Sequence, residues 1–305
     1  MRALPRRRTA AALTGAALAA LAVAGPVGTA AADEDPLPPG LDTTDCPKAS
    51  ELPPDAIPAF WTCTAAVISG GRLTVGKIDQ AIDQPIKLTY TTGFNPETAE
   101  ESLIMGPLRA APIRVAGGVL GIPGTDFIPL LQISAQPELT APIQVGSEAP
   151  GELAMIMHIR IKAINPLLGD TCYIGSKATP ITLRLQFNPT NPPPPNTPIA
   201  GSPPEVISSE PPVLKATVVD NAFAVPKSTG CGPFGLLNPI ADFRAGLPSA
   251  AGHNTAIFTQ YATYMTYDQL GQTSAKYRLA VKSTAKSRAA AKARAAKHGL
   301  WTAKR

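Results

Sequence analysis

Leu153-Ala154-Met155-Ile156-Met157-His158-Ile159-Arg160-Ile161-Lys162-Ala163 decides the fold class. Leu153, Met155, Met157, Ile159 and Ile161 fall on one side of an extended chain, and His158, Arg160 and Lys162 fall on the other. A period of two marks a strand with one face buried and one in water. The pattern recurs on both sides of this stretch. Ile86, Leu88 and Tyr90 alternate with Lys87, Thr89 and Thr91. Ile181, Leu183, Leu185 and Phe187 alternate with Thr182, Arg184 and Gln186. Leu214, Ala216 and Val218 alternate with Lys215 and Thr217. Thr255 to Tyr267, rich in threonine, tyrosine and β-branched residues, reads as a further strand. Glycines and prolines punctuate the chain between these runs, and only Leu236 to Ala245 reads as a helix, a short one. The fold class expected is all-β: an antiparallel β-sandwich or barrel-like body.

The four cysteines are Cys46, Cys63, Cys172 and Cys231. An even count in an exported chain favours disulfides. No CxxC spacing occurs, and three histidines are too few to make zinc the better reading. Three pairings are possible. Nearest-neighbour pairing, Cys46–Cys63 with Cys172–Cys231, is favoured because short loops close most readily, and it is worth roughly 3 and 4 kcal/mol in an idealised loop-entropy treatment.

The chain divides into four stretches. Residues 1–32 carry Arg2, Arg6, Arg7 and Arg8, an uncharged alanine-rich run from Ala10 to Val23, a Gly25-Pro26 break and Ala30-Ala31-Ala32. These are the parts of a signal peptide, with cleavage expected between Ala32 and Asp33. The apolar run is too short for a transmembrane span, which needs roughly 20 apolar residues. Residues 33–58 are an extended, proline-rich lead-in. Residues 59–275 are the β-rich body, read as one domain with two sub-lobes as the variant. Within it, Asn191-Pro192-Pro193-Pro194-Pro195-Asn196 is a stiff stretch, read as a rigid loop inside one domain in preference to a linker.

Residues 276–305 are a basic Ala/Lys/Arg-rich tail. The formal charge of +5 hides a split: residues 33–275 carry 13 Lys+Arg against 22 Asp+Glu, whereas the tail carries 10 Lys+Arg and no acid. Lys282, Lys286, Arg288, Lys292, Arg294 and Lys297 lie among alanines, all round any helix they form, with like charges at i,i+4. A flexible tail that orders on an anionic surface is expected. The accessible polyanions outside a cell are wall polymers and lipid head groups, not nucleic acid.

Catalytic signatures are absent. There is no G-x-S-x-G elbow, phosphate loop or dinucleotide fingerprint. Ser249, His253 and Asp242 are a weak triad candidate, and His158 reads as a solvated strand residue. The carboxylates Asp79 and Asp83, and Glu97, Glu100 and Glu101, read as solvated clusters. No cofactor or metal site is expected.

The segments Asn165-Pro166-Leu167-Leu168-Gly169-Asp170-Thr171-Cys172-Tyr173-Ile174-Gly175-Ser176, Pro192 to Asn196, Val219-Asp220-Asn221-Ala222-Phe223-Ala224-Val225-Pro226, Gly230-Cys231-Gly232 and Leu247-Pro248-Ser249-Ala250-Ala251-Gly252 together carry a resemblance. The chain resembles a family of uncharacterised secreted proteins of high-GC Gram-positive bacteria over roughly residues 45–260. The resemblance implies export and a Cys172–Cys231 bridge, and it implies no activity.

The expectation is a secreted or envelope-associated, non-enzymatic protein attached electrostatically through its tail. One alternative is an extracellular binding module for a lipid or other apolar small molecule, with Met155, Met157 and Ile159 as liners. The other is a hydrolase with an unrecognised site.

Overall fold

The computed structural model describes residues 37–95, 98, 100–122, 124–125, 127–146 and 154–271. The signal segment, Ala32 and Asp33, Leu153, Glu97 and the basic tail lie outside these. The described residues belong to one compact unit.

Fourteen strands among the described residues join in one sheet: β1 (Trp61–Val75), β2 (Ile78–Ala81), β3 (Ile86–Phe94), β4 (Glu101–Ala110), β5 (Ile113–Arg114), β6 (Ser134–Leu139), β7 (Gln144–Gly146), β8 (Ala154–Ile164), β9 (Tyr173–Ile174), β10 (Ile181–Gln186), β11 (Ser202–Ser209), β12 (Pro212–Asp220), β13 (Ser228–Thr229) and β14 (Thr255–Thr266). The central order is β4-β3-β1-β14-β12-β10-β8, extended by β6 on the far side of β8, and every pairing is antiparallel. The sheet curls into a half-barrel, the barrel-like form of the expected all-β body. Its edges approach where the Gln136 amide on β6 donates to the Ala110 carbonyl at the end of β4, 2.6 Å away.

Alternation builds the inner wall as expected. Met157, Ile159 and Ile161 on β8, Ile181, Leu183 and Leu185 on β10, Val218 on β12 and Phe258 on β14 are buried in one core with Ile86 and Leu88 of β3. β1 keeps facing this core along its length because the register slips by one residue between Ile68 and Gly70, which returns Leu73 and Val75 inward. Gly71 lies at this bulge with φ +118, and a Cβ there would run into the Ile257 carbonyl.

The outer face departs from the simple pattern. Lys87, Thr89 and Thr91 are buried, although alternation places them in water. The lead-in folds back over them, held by the Cys46–Cys63 disulfide. Lys87 Nζ meets Asp42 at 2.8 Å and Asp45 at 3.2 Å. Thr89 Oγ1 donates to the Asp45 carbonyl at 3.0 Å, and the Tyr267 hydroxyl lies 2.9 Å from Thr91 Oγ1 and donates to the Pro47 carbonyl. Trp61 and Tyr267 complete this small second core with Leu52, Ala56 and Leu270.

The proline stretch runs over the surface of the body, with Pro193, Pro194 and Pro195 exposed, and is tied to it through Asn196. Asn196 donates from its side chain to the carbonyls of Asn221 and Asn254, and the Asn196 amide donates to Gly252 O. The second disulfide, Cys172–Cys231, joins the β8–β9 loop to the segment after β13. The short helix α1 (Asn238–Ala245) ends on Gly246 in the left-handed conformation, inside the stretch expected to be helical.

Candidate functional site

A cavity of about 150 Å³ lies inside the half-barrel. Its walls come from most parts of the fold: Met157, Ile159 and Ile161 of β8, Leu183 of β10, Phe258 of β14, Leu73 and Val75 of β1, Ile86 of β3, and Ile113 and Val115 around β5. α1 closes it with Ile240, Ala241, Arg244 and Ala245. An aliphatic cavity of this size stays dry and accepts a guest about as large as benzene.

Three lining side chains are polar: Gln80, Ser228 and Arg244. Ser228 Oγ is satisfied by the Asn238 carbonyl at 3.2 Å. Gln80 Nε2 donates to the Ala81 carbonyl at 2.9 Å, while Gln80 Oε1 is buried with no hydrogen-bond partner. A buried acceptor left unmade costs about 1–3 kcal/mol. Arg244 donates to the carbonyls of Gly118 at 3.1 Å and Ala116 at 3.2 Å. Burial lowers its pKa, and no carboxylate among the described residues pairs with it. Arg244 keeps N–H donors beyond the two it uses. The cavity therefore offers an apolar interior with one cation and one unused acceptor in its wall.

Hydrogen bonds from its own side chains and backbone fix α1 to the barrel, beside the apolar contacts of Ala241 and Ala245. Asp242 Oδ1 accepts from the Ser228 amide at 2.7 Å, Asn238 Oδ1 accepts from the Cys231 amide at 2.8 Å, and the Ala245 carbonyl accepts from the Lys77 amide at 2.9 Å. Cys231 is itself bridged to Cys172, so that disulfide anchors the segment leading into α1. Ile240 lines the cavity yet is 57% exposed, so the cavity opens beside α1.

Of the residues singled out from sequence, Met157 and Ile159 line the cavity, and Met155 packs against the surrounding core. All four cysteines are paired as favoured, Cys46 with Cys63 and Cys172 with Cys231. His158 Nδ1 lies 3.0 Å from Thr182 Oγ1 on the outer face. Ser249 is held in a backbone bridge with Val225, the Asp242 carboxylate is engaged at Ser228, and no hydrogen bond joins Ser249, His253 and Asp242. Asp79 bonds Arg72 and Thr74 at the surface. Among the described residues no cluster of histidine, cysteine and carboxylate side chains could hold a metal, and no helix is long and apolar enough to cross a membrane. The tail candidates Lys282, Lys286, Arg288, Lys292, Arg294 and Lys297 lie outside the described residues. Arg244 and Gln80 carry no motif; only their place in the folded wall singles them out.

No family model, no curated protein and no solved structure matches the chain.

Proposed function

We propose that this is an exported binding protein whose half-barrel holds the apolar part of a small amphiphile, with Arg244 and Gln80 meeting its polar end. The observation that carries this reading is the apolar cavity of about 150 Å³ walled by the sheet and α1. Room for about six carbons fits a short aliphatic chain, a small ring or the end of a longer acyl chain. The two disulfides support an oxidising compartment, in keeping with the signal-like segment 1–32.

Octanoate and 1-octanol titrated into the protein, followed by thermal unfolding, test the reading. At about 100 times Kd a ligand adds about 2.7 kcal/mol, a rise of about 5–10 °C in Tm for a domain of this size. Ile159→Phe fills the cavity and is expected to abolish the rise. Arg244→Gln is expected to weaken octanoate and spare octanol. Absence of any rise with either ligand would overturn the proposal.

A second reading rests on the charge split between an acidic body and a tail of 10 Lys+Arg without acids. In it the tail holds the protein on anionic wall or membrane polymers. Deleting Lys276 to Arg305 is then expected to move protein from the cell-associated fraction into the medium at low salt; equal partitioning of the two forms contradicts it.

A further inference from the structure

Most of the large apolar side chains that face water lie at one end of the molecule. Ten of the seventeen exposed in the described residues come from three stretches: 120–130, Leu167, and 234–243. These stretches are tied together. Arg244 bonds Ala116 and Gly118, Asn165 Nδ2 donates to the carbonyls of Leu130 and Gln132, and the Gly232 amide donates to Leu168 O. Taken with their exposures, these side chains present on the order of 1,000 Å² of apolar surface, against the few hundred found in the largest patch of an ordinary monomer. Of the other seven, Phe60 and Phe94 pair with each other at 5.0 Å next to Ile57, and Leu37, Val145, Val206 and Tyr264 lie far apart in the chain.

The form of the patch narrows what covers it. Phe234 is the one non-glycine residue with positive φ among the described residues, at 56°, and its side chain is fully exposed at 103%. A strained backbone that turns an aromatic ring into solvent gains no packing within the chain. Phe243 is 79% exposed with Lys77 Nζ 5.0 Å above its ring, and Phe127 is 76% exposed. Rings on three separate elements, Phe127 and Phe234 on turns and Phe243 on α1 with the Lys77 cation over its face, suit a deformable apolar medium beneath charged head groups better than a rigid protein groove. The cavity opens within this same end, at Ile240.

We infer that the α1 end of the half-barrel docks on a lipid surface, with Phe127, Phe234, Leu236 and Phe243 entering the head-group and acyl boundary. Docking there brings the cavity mouth against acyl chains, so an apolar ligand passes between bilayer and cavity without crossing water. That last step rests on the proposed function, while the docking itself rests on the exposed patch.

Flotation of the protein with vesicles tests it. Pure phosphatidylcholine at 0.5 M salt silences the basic tail, because attraction to anionic surfaces is screened and no anionic lipid is present. The wild type is expected to float with the vesicles. The double variant Phe234→Ser/Phe243→Ser changes only exposed side chains, and it is expected to lose at least tenfold in partitioning while keeping its Tm and its octanoate shift. Equal flotation of wild type and variant, or none by either, overturns the inference. Sedimentation on the same samples separates another occupant: concentration-dependent dimerisation abolished by the double variant, without flotation, means that a second copy covers the patch. A lost octanoate shift in the wild type strikes the proposed function and leaves the docking test intact.

Discussion

Single carboxylates in this protein pull its pH dependence in opposite directions. Burial alone would raise the Asp42 pKa, but hydrogen bonds from Lys87 and Thr44 hold it down at about 2. Asp45 is lowered chiefly by its hydrogen bond from Arg109. A depressed carboxylate stabilises the fold above its unfolded pKa, about 3.9, and that contribution is lost as pH falls through the folded value. Asp220 differs, because desolvation raises its pKa although the amides of Arg184 and Ala222 donate to it at 2.6 and 2.9 Å. Its contribution is complete below the unfolded pKa and fades as pH rises through the folded one. Urea unfolding from pH 6 to pH 2 is therefore expected to show a loss of stability between about pH 4 and pH 2, smaller in Asp42→Asn. β10 and β12 pair at only Gln186 and Val219, so Asp220 replaces ladder bonds that the two strands lack. Asp220→Ala strands two amides and is expected to cost about 2–4 kcal/mol in urea midpoint experiments at neutral pH; a cost under about 0.5 kcal/mol would mean water replaces the carboxylate.

At the scale of elements, period-two alternation made β3, β8, β10 and β12 legible, because side chains on one face of a half-buried strand must be apolar, and β14 was legible from its threonine, tyrosine and β-branched content. It misassigned the outer face of β3. Lys87, Thr89 and Thr91 look solvated in sequence, and only the Cys46–Cys63 bridge, with Asp42, Asp45 and Pro47 behind it, shows that a strap covers them. Polar residues bonded to a covering segment leave the same pattern as polar residues in water. The bulge in β1 was equally hidden, since Ser69-Gly70-Gly71 reads as a simple interruption. The strap yields a prediction. Cys46→Ala/Cys63→Ala is expected to lower stability by about 3 kcal/mol from loop closure. It also opens Lys87 to solvent, so hydrogen exchange should quicken at β3 amides and stay unchanged at β8 and β10. Uniform acceleration across the sheet would mean that the strap and the barrel unfold as one unit.

For the whole molecule, the cavity is the feature least visible in sequence, because a void is the difference between the space the walls enclose and the side chains that fill it. Met157 and Ile159 were legible as inward residues, but an inward residue in a filled core carries the same pattern as one lining a hollow. Arg244 stood in an unremarkable short helix until the fold placed it against Gly118 and the cavity wall. Leu183 distinguishes a hollow from a filled core. It is 2% exposed and lines the cavity from β10. In a filled core Leu183→Ala leaves a new, isolated void that takes a guest no larger than about benzene and offers a longer chain no way in. Here the same substitution enlarges a void that already exists and opens at Ile240. The expected cost is about 3–5 kcal/mol, since the neighbouring strands cannot collapse into a space bounded by hydrogen-bonded sheet. A longer guest then fits the enlarged void, so decanoate is expected to stabilise Leu183→Ala more than it stabilises the wild type, while octanoate favours the wild type. Calorimetric Tm shifts for the four combinations read this directly. If chain length makes no difference between the two proteins, guests do not reach the wall at Leu183, and binding is confined to the mouth beside α1.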